Sequence, residues 1–213
     1  MFNIRDPHLG QPVLTSGPEP RDARLSVILV HGRGASAEDI LALADDLGMN
    51  DVAYLAPQAA GRTWYPYSFL SPIAQNEPGI TSGLGVLSRV IERLEAQGVG
   101  RHRIALLGFS QGACLALEYA ARHAQRYAGI CGLSGGLIGP PGTPRDYAGA
   151  FDGAPVFLGC SDVDPHIPVE RVRESADVFR RLGATVDERI YKRMGHTVND
   201  DEIQAVRSLL NGR

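Results

Sequence analysis

The sequence predicts an α/β fold, a mainly parallel sheet with helices on both faces. Two observations carry this. Short, continuously apolar runs recur along the chain, as expected of strands buried on both sides, and segments with apolar residues at three- and four-residue spacing separate them. Strands joined by helical crossovers pair in parallel, and right-handed crossovers then fix most of the connectivity. At 213 residues the chain suits one domain spanning residues 1–213, with no internal repeat or dividing linker.

Taken in order, Val13 to Ser16 reads as an antiparallel edge strand, and Leu25 to Val30 as the first buried one. The Gly-rich turn His31-Gly32-Arg33-Gly34 follows. Ser36-Ala37-Glu38-Asp39 is then a capping box opening a helix through Leu47. Val52 to Ala56 is a strand, and Leu84, Leu87, Val90, Ile91 and Leu94 form a helical face after a cap at Thr81 or Ser82. Ile104 to Phe109 is a strong strand that passes directly into a helix from Gln111 to about Arg122, apolar nearly all round and so packed deep against a sheet. Ala128 to Leu133 and Pro155 to Gly159 are further buried strands. Val169, Val172, Phe179 and Leu182 mark a helix, Ala184 to Tyr191 the last strand, and Ile203, Val206 and Leu209 a closing helix. Tyr65 to Ile80 and Gly135 to Gly153 are long irregular segments, of the kind that form lids or pocket walls.

Charge is nearly balanced, 21 Lys and Arg against 24 Asp and Glu for a net of −3. No run of one sign points to a nucleic acid or a membrane surface. The start MFNIRDPHLGQP lacks the apolar stretch of a signal peptide, and no apolar run is long enough to span a bilayer, so a soluble, cytoplasmic protein without stable membrane insertion is expected. Cys114, Cys131 and Cys160 lie in or beside apolar runs and are read as buried, reduced thiols.

Gly-x-Ser-x-Gly occurs twice, around Ser110 and around Ser134. A nucleophile elbow needs a strand, a sharp turn and then a helix whose N-terminus faces the chemistry. Ser110 has all three. Ser134 is followed by Gly135-Gly136-Leu137-Ile138-Gly139-Pro140-Pro141-Gly142, which cannot easily be helical, and is read as a structural strand-end serine. A serine needs a base oriented by an acid, and on this kind of fold both follow the nucleophile on loops after strands, acid first. His196, between the last strand and the last helix, is placed for the base. His8 precedes the fold, His31 belongs to the first turn, His102 and His123 flank elements on the far side, and His166 comes before the last strand. The segment Ser161-Asp162-Val163-Asp164-Pro165 offers two acids. Asp164 stands before Pro165 and the next helix and is favoured, whereas Asp162 is suited to bracing the loop.

These residues together resemble the phospholipase/carboxylesterase family of α/β hydrolases, which includes bacterial carboxylesterases and acyl-protein thioesterases. The carriers are His31-Gly32-Arg33-Gly34-Ala35, Gly108-Phe109-Ser110-Gln111-Gly112, Asp164-Pro165-His166-Ile167-Pro168 and Gly195-His196. The resemblance implies an α/β-hydrolase fold, Asp164 as the acid, an oxyanion hole from the main-chain N–H groups of Arg33 and Gln111, and a homodimer. The family's usual His-Gly pair at the strand end is Cys160-Ser161 here.

The aromatic stretch Gly61 to Phe69 either lines an apolar acyl or aryl pocket or packs its loop down; Trp64, the sole tryptophan, is read as its pocket residue. The function expected is a serine carboxylesterase acting on small to medium carboxylic esters through an acyl-serine, with Ser110, Asp164 and His196 as the triad and neither metal nor organic cofactor. Hydrolysis of thioesters or lysophospholipids is the alternative within enzymes. An inactive binding scaffold is the alternative outside them.

Overall fold

A computed structural model describes residues 6–212. The apolar runs become β1 (Val13–Ser16), β2 (Leu25–Val30), β3 (Val52–Pro57), β4 (Ile104–Phe109), β5 (Gly129–Leu133), β6 (Pro155–Ser161) and β7 (Thr185–Tyr191). They form one sheet in the order β1-β3-β2-β4-β5-β6-β7, in which only β1 runs antiparallel. Every residue of β2 and β3 is buried, which is why these strands show no polar alternation. The outer strand β7 is charged instead: Arg189 pairs with Asp187 and Asp201, and Glu188 with Arg180, the charged edge typical of strands that end a sheet.

Five helices cover the two faces: α1 (Ala37–Leu47), α2 (Gly79–Ala96), α3 (Gln111–Arg122), α4 (Val169–Arg181) and α5 (Asp200–Leu210). Ile28, Leu106, Ile130 and Leu158 pack with α2, α3 and α4 on one side; Val27, Leu29, Leu107 and Leu133 pack with α1 and α5 on the other. Each Leu or Ile taken fully out of water contributes about 1.5–3 kcal/mol, so these two layers, more than local propensity, hold the sheet. In α3 every residue but Arg122 is buried, as its all-round apolarity predicts. No helix among the described residues is long and apolar enough to cross a membrane.

The capping box on α1 forms as expected, with Ser36 and Asp39 exchanging hydrogen bonds. The start of α2 differs from expectation. The helix begins at Gly79 after Pro78, and neither Thr81 nor Ser82 caps it; the Glu77 carboxylate accepts from the Thr81 N–H (3.0 Å) and hydroxyl (2.9 Å). Ser82 turns away to the residue 6–8 segment.

Register decides where the chemistry can sit. Val30 lies beside Gly108, Phe109 beside Leu133, and Leu133 beside Gly159. The carboxyl ends of β2, β4, β5 and β6 therefore share one edge, where crevices of parallel sheets bind ligands.

Candidate active site

At the end of β4 the chain reverses into α3 through Ser110, whose φ of 55° and ψ of −120° lie outside the regions open to most residues. Such a conformation costs about 1–3 kcal/mol and persists only where its surroundings impose it. Here the Ser110 N–H donates to the Leu133 carbonyl (2.9 Å), and its carbonyl accepts from the Cys114 N–H (3.0 Å). The flanking glycines let the turn close. A Cβ on Gly108 would sit 2.4 Å from the Gly112 carbonyl, and one on Gly112 would sit 2.0 Å from the Val30 carbonyl. Ser110 makes no side-chain capping bond to α3.

Its Oγ lies 2.8 Å from His196 Nε2, and His196 Nδ1 lies 2.7 Å from Asp164 Oδ2. A carboxylate only accepts, so Nδ1 carries the proton and Nε2 of the neutral ring is left to accept from the serine. The Asp164 side chain is fully covered and that of His196 is 19% exposed. Burial pushes the Asp164 carboxyl up, but hydrogen bonds from His196 and from the His166 and Ile167 N–H groups outweigh it and hold the carboxyl below its ordinary range. Those two amides bond Oδ1 at 2.8 and 3.0 Å, so Asp164 both shapes its loop and holds the imidazole. The histidine turn is anchored on its other side: the Gly195 N–H donates to Ser161 Oγ (3.2 Å), and α5 starts in a capping box of Asn199 and Glu202.

Asp162 does what a bracing residue does. Its Oδ1 accepts from the Arg193 N–H at 2.8 Å, and it has no bond to His196. Ser134 is fully buried and no helix follows it. His102 sits just before β4 and His123 just past the end of α3, remote from the turns, as expected. His166, by contrast, reaches the site and meets the His196 ring edge-on at 4.8 Å.

The Gly32 turn lies beside the elbow, since a Cβ on Gly32 would touch Ser110 Cβ at 3.4 Å. Among the described residues the main-chain N–H groups of Arg33 and Gln111 donate no hydrogen bond, which leaves both free for a ligand next to Ser110. Their side chains do something the sequence does not announce. Gln111 takes the Trp64 N–H (2.9 Å) and gives a bond to the Tyr65 carbonyl (2.8 Å), while Arg33 bonds the carbonyls of Pro66 (2.7 Å) and Tyr67 (2.6 Å). Both residues thus grip the aromatic loop after β3.

That loop forms one wall of a cleft of about 370 Å³ with Ser110 and His196 in its lining. Tyr65, Pro66, Tyr67 and Phe69 line it, faced by Ile167 and His166 across the opening. Trp64 does not line it, which corrects the assignment made from its composition. The indole is wholly buried and donates to the His31 carbonyl at 2.9 Å, which turns Trp64 into the core while the following residues, Tyr65 to Phe69, line the cleft. The segment Gly135 to Gly153 does not line the cleft either. It braces the wall from behind, with the Gly139 N–H bonded to the Phe69 carbonyl (2.8 Å) and the buried Glu118 and Arg171 holding its main chain. His8 is the residue most at odds with expectation: instead of preceding the fold, it is buried against Trp64. Cys114, Cys131 and Cys160 are buried and free, as expected. Among the described residues no group of three or more His, Cys, Asp or Glu side chains is arranged to hold a metal ion.

Comparison with known proteins places the chain in a family. The family model described as phospholipase/carboxylesterase matches residues 14–212. Acyl-protein thioesterase 1 of Gibberella zeae is 26% identical over 211 residues, covering 87% of this chain and 88% of its own. The Saccharomyces cerevisiae protein of the same name is 25% identical, covering 88% and 92%. A solved phospholipase/carboxylesterase from Dyadobacter fermentans is 41% identical, with a TM-score of 0.91 over 95% of this chain and 97% of that one. The Bacillus cereus carboxylesterase, 17% identical, shares the fold at a TM-score of 0.75, covering 96% and 95%.

Proposed function

The chain belongs to the phospholipase/carboxylesterase family and has the α/β-hydrolase fold, and from that premise we propose that it is a serine carboxylesterase cleaving small to medium carboxylic esters. The observation that carries this reading is the unbroken relay Asp164–His196–Ser110, at 2.7 and 2.8 Å, opening on a cleft.

In this reading Ser110 Oγ attacks the ester carbon while His196 Nε2 takes the hydroxyl proton. The carbonyl becomes an oxyanion facing the Arg33 and Gln111 N–H groups; each such donor typically lowers the barrier by about 2.7–4 kcal/mol. Asp164 holds the ring in the required tautomer and stabilises the imidazolium. The ester C–O bond then breaks, His196 returns its proton to the departing alkoxide, and the acyl group remains on Ser110. Water repeats the sequence, giving its proton to His196 and its oxygen to the acyl carbon, and Ser110 leaves with the proton. The cleft's volume lies at the lower end of the small-molecule range, which favours short and medium acyl groups.

Thioester hydrolysis uses the same steps with a thiolate leaving group, and the thioesterase relatives favour it as the second reading. A panel of p-nitrophenyl esters of rising chain length, run beside acyl-CoA and lysophospholipid, decides. Highest kcat/KM on acetate to hexanoate esters supports the carboxylesterase; highest kcat/KM on a thioester replaces it with the second reading; no turnover of any of them overturns both.

A further inference from the structure

His8 comes before β1 and before the residues that the family model matches, yet it is 3% exposed and tied on every side. Its Nε2 donates to the Trp64 carbonyl (2.9 Å) and its Nδ1 accepts from the Ala60 N–H (3.1 Å). Its own N–H donates to Ser82 Oγ (3.0 Å), whose hydroxyl donates to Asp6, and Asp6 pairs with Arg89 (3.2 Å). The ring meets Trp64 edge-on, with centroids 5.2 Å apart.

Trp64 passes these constraints to the active site. It packs on the His31 ring at 5.1 Å, its indole donates to the His31 carbonyl, and its N–H donates to the Gln111 side chain. His31 is locked like His8, with Nε2 accepting from the Ala59 N–H (3.1 Å) and Nδ1 donating to the Gly32 carbonyl (2.8 Å). Two consecutive main-chain amides, Ala59 and Ala60, therefore end on the acceptor nitrogens of two buried imidazoles. Only a neutral ring can accept; a protonated one would set N–H against N–H.

We propose that His8 is a positioning residue of the active site: with His31 it clamps Trp64, fixing the turn that carries the Arg33 N–H and the aromatic wall of the cleft, and the clamp opens when His8 is protonated. The inference rests on the esterase reading for its effect on rate, and on geometry alone for the clamp. Asp6 and Arg89 face His8, and Asp39, Arg62 and His8 face His31. Burial outweighs the carbonyl bonds and the acids and lowers both imidazoles, so their neutral-form contacts are complete above the ordinary value of about 6.5 and are lost as pH falls through the lower folded values.

Because Trp64 is the only tryptophan, its emission reports the clamp without any assay of activity. In the wild-type protein the emission should change reversibly in a step below about pH 6.5 while far-UV circular dichroism stays native. His8→Asn places an oxygen where Nδ1 accepts from Ala60 and cannot take a proton; it should lose at least half of that step. At pH 7.5 His8→Ala should lower kcat/KM about 10-fold or more, and His8→Asn should recover most of the loss. Should His8→Ala not fold, Ser82→Ala, which frees the His8 main chain and the Asp6 carboxylate but leaves the His8 ring in place, carries the kinetic comparison with an expected loss of about threefold. An unchanged emission titration in His8→Asn, or wild-type kcat/KM in the folded Ala variant, overturns the clamp. Fluorophosphonate labelling of the wild-type protein runs alongside. Labelling with an unchanged titration overturns the clamp alone, and no labelling overturns the hydrolase reading together with the clamp's role in it.

Discussion

Two Gly-x-Ser-x-Gly turns end neighbouring parallel strands of one sheet, and at both serines the backbone takes a positive φ, 55° at Ser110 and 49° at Ser134. The two serines lead into different structures. Ser110 enters α3 and has its Oγ at the mouth of a cleft within reach of His196. Ser134 enters an irregular segment, donates its N–H to the Gly159 carbonyl (2.7 Å), and keeps its Oγ buried with no hydrogen-bond partner among the described residues. Glycines and a strained φ thus mark where a strand reverses sharply. A nucleophile needs two further things: a helix start that leaves amides free beside the serine, and a histidine oriented by an acid.

The comparison breaks most easily at the serines themselves. Ser110→Ala is expected to lower kcat on a p-nitrophenyl ester by at least about 10⁴-fold and as much as about 10⁶-fold, while Ser134→Ala stays within about tenfold of wild type. Equal losses would mean that the glycine pattern, and not its setting, makes the site.

The next largest contrast lies between the two aspartates after β6. Asp164→Asn keeps the shape of the carboxylate but leaves His196 in the wrong tautomer, an effect on the order of 10⁴ in kcat where a triad aspartate is changed so. Asp162→Asn weakens one bond to the Arg193 N–H, about 0.5–1.5 kcal/mol of stability, and should keep at least about a tenth of wild-type kcat. Kinetics and thermal melting on both variants check this. An inactive but stably folded Asp162→Asn would move the acid there.

Local signals were enough to read most of this from the chain. Strand runs, the Ser36 capping box and the uninterrupted apolar helix after Ser110 are written in neighbouring residues, so the elements followed, and the Asp-Pro step singled out Asp164. Contacts between distant residues left no such mark. Nothing near Trp64 says that its indole will meet the His31 carbonyl, or that His8 will meet Trp64 across 56 positions. The start of α2 was hidden for a related reason: Ser82, a good cap by type, is drawn off by His8 and Asp6. Side-chain roles of Gln111 and Arg33 escaped because an amide and a guanidinium look the same in sequence whether they grip a loop or face water.

The smallest expected effect sharpens the contrast between the acid that serves the histidine and the one that only caps its loop. Glu202 is fully buried, with Oε2 accepting from the Asn199 N–H (3.0 Å) and Oε1 without a partner among the described residues. Burial pushes it up to about 7, against the bond from Asn199. A raised folded value means that the contribution to stability is complete below the ordinary value of about 4.3 and is lost as pH rises through about 7. Glu202→Gln should therefore raise Tm by a few degrees at pH 8, where about 1 kcal/mol corresponds to roughly 2–4 °C, and by much less at pH 5. A gain of equal size at both values would point to packing and not to ionisation.

The most direct test of the central claim is to label the folded wild-type protein with a fluorophosphonate and locate the adduct by peptide mass mapping. One adduct on Ser110, absent from Ser110→Ala and formed far more slowly in His196→Ala, is the expected result. An adduct on Ser134, or labelling of Ser110 at an undiminished rate without His196, would contradict the account.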